Sequence, residues 1–126
     1  MDPSQEVKIW NRAAMSDSSV MVAKGDRALS ALLLLHGSIM NGGVLNALEI
    51  MEQRQLNDAI AGYEFFGLKS ITRLLSKAKD ILERSIDLDT QEALLDSEYA
   101  SIIPDDSFLV SVFEQHFRVH PGDFAE

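Results

Sequence analysis

The stretch HGSIMNGG, residues 36–43, gathers a histidine, an asparagine and three glycines, the residue types from which a general base or an anion-binding loop is built. Catalysis at His36 needs a nucleophile within reach. Ser38 is two residues away, which on a helix turns it to another face, and no serine sits in a GxSxG elbow. His36 instead shares a stripe with Leu29, Leu32, Leu33 and Met40, so its ring is expected to point inward as a hydrogen-bonding core group. Asn41, Gly42 and Gly43 tolerate positive φ and suit a sharp junction that ends one helix and starts the next. The backbone N–H groups before residue 44 are also the raw material of an anion nest, but a GG pair carries neither the Walker nor the dinucleotide pattern.

His116 and His120 stand one helical turn apart, a spacing that can hold a metal. The glutamate of an HExxH site is missing, and Arg118 adds positive charge beside the pair, so packing and complementation of a helix C-terminus are the expected roles. The chain has no cysteine, which excludes disulfides, zinc-thiolate sites and thiol catalysis. Neither a metal nor a cofactor is expected.

The acids offer more. Formal charge is −9, from 20 acids and 11 bases. Residues 1–84 hold ten acids and ten bases, whereas residues 85–126 hold ten acids and only Arg118, so the last third carries the whole excess. On a helix from 89, Asp89, Glu92 and Asp96 fall within an arc of roughly 60° and form a carboxylate edge. Asp87, Asp105 and Asp106 lie at the adjoining ends. Acid–base or metal chemistry would need carboxylates converging across a cleft, and these spacings predict outward-facing groups. Such a surface repels nucleic acid and anionic membranes and attracts a cationic partner. The row Lys69, Arg73, Lys77 and Arg84 is interrupted by Asp80 and Glu83 and lacks interleaved aromatics for base stacking; it reads as a solvated helix face or as a dock for the acidic third, within one chain or across a homodimer.

Positioning these groups falls to helices. The length suits one domain, spanning residues 1–126. Asp2, Pro3 and Gln5 resemble a helix start, and residues 16–24 read as a short helix. Gly25 and Asp26 then cap a central helix of about 27–40, apolar nearly all round, which implies that others surround it. Further helices are expected over 44–51, 55–66, 69–84 and 90–102, and a last one opens near Pro104 with Asp105 or Asp106 as its cap. Gly67 can close the second of these in the left-handed conformation, and Asp89 with Glu92 has the spacing of a capping box. No stretch alternates as a strand does. The expected fold is all-α, six or seven helices around residues 27–40. No apolar run reaches membrane-span length and the first ten residues lack signal-peptide order, so a cytoplasmic protein is expected.

HGSIMNGGVLNALEI followed by AIAGYEFFGLKSITRLL resembles a family of small helical bacterial proteins named after a DNA-mimic protein and otherwise treated as a domain of unknown function. The matching residues are His36, Gly37, Met40, Asn41, Gly42 and Gly43, then Phe66, Gly67 and Leu68, with the Tyr99 region and HPGDF (120–124) as a closing segment; the resemblance spans about 26–124. The family pattern favours an aromatic after NGG, where this chain has Val44. The resemblance implies a non-catalytic acidic protein whose carboxylates stand in for DNA phosphates before the basic surface of a DNA-binding regulator. Asp87, Asp89, Glu92, Asp96, Asp105 and Asp106 are then the partner-binding residues, while His36, Asn41, Gly42, Gly43, Phe66 and Gly67 are structural. Two other classes fit the residues: an immunity-type inhibitor that meets a toxin enzyme through the same face, and a small-ligand binder or enzyme centred on His36 and Asn41.

Overall fold

Three- and four-residue apolar spacing winds into helix after helix. The computed structural model describes residues 3–85 and 87–125, and among them it contains seven α-helices, two short 3-10 turns and no strand. The helices are α1 (Pro3–Met15), α2 (Lys24–Gly42), α3 (Val44–Ile50), α4 (Gln53–Phe65), α5 (Lys69–Arg84), α6 (Leu88–Ile102) and α7 (Asp106–Val119). The turns are Ser18–Val20 and Pro121–Asp123. No helix of the described residues is long and apolar enough to cross a membrane.

The central element is α2, 19 residues and so about 28 Å long. It packs on α1, α3, α4 and both turns. Gly62 lets α4 approach it closely, because a Cβ there would collide with the Ala28 carbonyl. The larger apolar cluster joins Leu32, Leu35, Val44, Leu56, Tyr63, Ile71, Leu74, Leu95 and Tyr99; a second gathers Ile9, Ala13, Leu29, Phe113, Phe117 and Phe124. Trp10, Leu33 and Phe66 touch both. The amphipathic α5 buries Ile71, Leu74, Leu75 and Ala78, as its spacing requires.

Several local expectations are corrected. The central helix is not surrounded on every side: Leu34 is 52% and Met40 57% exposed, so one strip of α2 faces outward. It starts at Lys24, and Asp26 lies inside its first turn rather than capping it, because Asp26 has found long-range partners. The Arg12 guanidinium donates to its Oδ1 at 2.7 Å and the Ala125 amide to its Oδ2 at 2.8 Å, which ties the chain's end to α1 and α2. In place of a short helix over residues 16–24 there is the 3-10 turn Ser18–Val20, with Lys24 already in α2; the turn is opened by Asp17, whose carboxylate accepts the Ser19 amide. At α6 the Asp89–Glu92 box does not form; the helix begins at Leu88 after a left-handed Asp87, and Asp89 sits within the first turn, where a carboxylate still complements the helix dipole. Asp105 does cap α7, accepting the Phe108 amide at 3.2 Å. Asp2, expected to cap α1, lies outside the described residues.

Candidate functional site

His36 is the inner link of a polar chain that runs from the core to the surface. The Tyr63 and Tyr99 hydroxyls are 2.8 Å apart, Tyr99 Oη is 2.8 Å from His36 Nδ1, and His36 Nε2 is 2.8 Å from Asp106 Oδ1. Tyr63, Tyr99 and His36 are buried on α4, α6 and α2, whereas the Asp106 side chain at the start of α7 is 76% exposed. One polarity satisfies every member: Tyr63 donates to Tyr99, Tyr99 to Nδ1, and Nε2–H to the carboxylate. Reversing it leaves the Tyr63 proton without an acceptor among the chain's own members. Burial, then the neighbouring hydroxyl and charge of Tyr99, push the Tyr63 phenol well up; burial likewise raises Tyr99. Both remain neutral donors. Because both imidazole nitrogens are occupied, His36 has none free for a substrate.

The NGG segment makes a turn whose conformation only its last glycine needs. Gly43 adopts φ +92°, its amide closes α2 by donating to the Ile39 carbonyl at 2.7 Å, and its carbonyl accepts the Ala47 amide of α3. The first amide of α3, Val44 N–H, donates at 2.8 Å to Asp96 Oδ1 from α6. A Cβ at Gly43 would press on that carboxylate at 2.9 Å. Asp96 therefore departs from the outward-facing edge expected for it: its carboxylate finds an orphan helix amide and a favourable dipole inside the fold. Asn41 is exposed, and Gly42 lies against the Asn46 side chain. The recess beside this turn, lined by Asn41, Gly42, Gly43, Asp96 and Tyr99, holds about 240 Å³, below the usual size of a ligand pocket.

Phe66 and Gly67 serve the other end of α4. Gly67, at φ +76°, donates to the Glu64 carbonyl at 2.9 Å, and Leu68 donates to Tyr63 at 2.9 Å. Phe66 meets the His116 ring edge-on at 5.2 Å, joining α4 to α7. His116 Nε2 lies 2.8 Å from Asp123 Oδ2, its ring stands 5.2 Å from that of His120, and among the described residues no three candidate metal ligands converge.

Of the remaining carboxylates, Asp87, Asp89, Glu92 and Asp105 are exposed and have no ion-pair partner among the described residues. Asp87 and Asp89 lie at one end of α6 and Asp105 with Asp106 just past the other, about 22 Å away along 15 residues. They form two groups, one at the start of α6 and one at the start of α7, with Asp96 of α6 turned inward between them. Among the described residues the basic row of α5 makes one ion pair to α6, where Lys77 donates to Glu98 at 2.7 Å; Arg84 pairs with Asp80 on its own helix. Sequence reasoning missed the Asp96–Val44 bond and the tyrosine pair, since partners 52 and 36 residues apart leave no local spacing signal.

These features define an all-α protein whose polar junction is satisfied from within and whose carboxylates are left for solvent on α6 and at the start of α7. The family model for the DMP19-like protein matches residues 22–118, most of the chain, and the protein belongs to that family. The match ends before the HPGDF segment. No curated protein and no solved structure matches the chain.

Proposed function

We propose that the protein is a non-catalytic acidic binding protein that engages the basic surface of a DNA-binding regulator in place of DNA. Family membership supports this reading, and the observation that carries it is the set of exposed carboxylates, Asp87, Asp89, Glu92 and Asp105, without cationic partners among the described residues. Asp106 adds an exposed carboxylate held in place by His36. Spread over about 22 Å, these groups span roughly six base-pair rises of a DNA strand at 3.4 Å each. Asp96 contributes charge to this side but is committed to α3, so it positions the edge rather than contacting a partner.

The test is affinity capture from a bacterial lysate with the full chain as bait, eluted by a salt gradient, alongside Asp89→Lys/Glu92→Lys as a second bait. A DNA-binding protein that leaves at moderate salt, is displaced by added duplex DNA and is lost from the second bait carries the reading. Capture of a toxin enzyme alone would replace it with the inhibitor class, and equal recovery on both baits would remove the acidic edge from the interface.

A further inference from the structure

The outward strip of α2 floors a cleft of about 640 Å³, walled by the end of α1 with the Ser18–Val20 turn and by the start of α4. That volume falls within the usual range of small-molecule sites, about 300–1,000 Å³. Leu33 and Leu34 make the floor apolar, and Asp17, Glu52 and Asp58 outnumber Arg54 around it.

Three residues of the cleft have no side-chain partner among the described residues. Gly37 lies within α2, where glycine is a weaker helix former than alanine, yet a Cβ there would meet nothing within 4 Å. At Gly25, Gly42, Gly43 and Gly62 a close neighbour explains the missing side chain; at Gly37 the bare backbone only faces the cleft. Ser38, beside it, has a buried Oγ with no hydrogen-bond partner among the described residues. Asp58 is partly buried and has no ion pair among them. The other two acids are engaged: Asp17 accepts the Ser19 amide, and Glu52 caps α4.

We propose that this cleft binds a small organic cation with an apolar body, a primary ammonium on an alkyl or aromatic frame. The apolar part lies on Leu33, Leu34 and the bare backbone of Gly37, and the ammonium donates to the Asp58 carboxylate. No residue of the cleft belongs to the acidic edge, so the site goes beyond the partner-binding reading and fails or stands apart from it.

The experiment is an amide NMR titration of the ¹⁵N-labelled full chain with hexylamine, with hexanoate and spermidine as comparisons. Hexylamine is expected to give saturable shifts grouped in residues 16–19, 34–38 and 54–58, with hexanoate and spermidine at least about tenfold weaker. Asp58→Asn is expected to weaken hexylamine about fivefold. Gly37→Leu fills the cleft with a better helix former and is expected to abolish binding without lowering Tm; Gly37→Ala is the milder variant should leucine disturb the fold. Shifts scattered over the acidic surface, equal binding of hexanoate or spermidine, or full binding by Asp58→Asn would each overturn the proposal.

Discussion

Tyr99 differs from Tyr63 in what its loss would strand. Tyr99→Phe leaves the Tyr63 hydroxyl without an acceptor and His36 Nδ1 without a donor, both buried, and is expected to cost about 2–5 kcal/mol. Tyr63→Phe removes one bond and strands no proton, so about 1 kcal/mol is expected. Urea unfolding ranks the two; equal losses would mean that the chain is polarised the other way. The same pair predicts alkaline behaviour. Burial raises both phenols above their ordinary value, so their contribution is complete below the unfolded value, about 10, and is lost as pH rises beyond it. These are the chain's two tyrosines. Phenolate absorbance is therefore expected to appear together with unfolding; phenolate absorbance while the circular dichroism is still native would contradict the buried chain.

At the scale of elements, the α2–α3 turn and the C-terminal tail each depend on a carboxylate. Asp96→Ala removes the acceptor of the Val44 amide and is expected to destabilise by about 1 kcal/mol and speed exchange of that amide. Unchanged exchange would show that α3 does not rely on α6 for its cap. In the tail, Phe124 fills the space beside Gly25, and Asp123 reaches His116 and Lys24. The His116 hydrogen bond first, then Lys24, hold the Asp123 carboxyl below its ordinary value. A lowered folded value gives stability that is present above the unfolded pKa, about 3.9, and disappears as pH falls through the folded one. Carboxyl NMR should find the Asp123 midpoint low and raised by His116→Gln; a midpoint indifferent to that change would exclude the contact.

For the whole molecule, what matters is how a charge of −9 is distributed. Asp89→Lys/Glu92→Lys replaces two exposed negative charges with two positive ones and leaves the Asp96 cap intact, whereas reversing Asp96 would damage the fold and confuse the result. Association with a captured basic partner is expected to slow about tenfold or more at low salt, the difference shrinking as salt rises and the Debye length shortens to about 3 Å at 1 M. Stopped-flow at several ionic strengths reads this directly. A variant that associates as fast as the parent at low salt would place the steering charge elsewhere.

Much of this was legible in the residues themselves. Apolar spacing determined the helical class and the buried face of α5, Gly67 announced the end of α4, and the inward stripe through Leu29 and Leu32 put His36 in the core. Those are local properties, set by 3.6-residue periodicity and by which residues tolerate positive φ. The spacing of Asp96 with Asp89 and Glu92 gave no hint that one of the three would turn inward, because the amide it serves is 52 residues away. Gly37 and Ser38 read as ordinary parts of a junction motif until the fold placed the end of α1 and the start of α4 beside them. Tertiary structure alone decided these roles, since a carboxylate, a hydroxyl or a missing side chain acquires its function from the groups that other elements bring within a few ångströms of it.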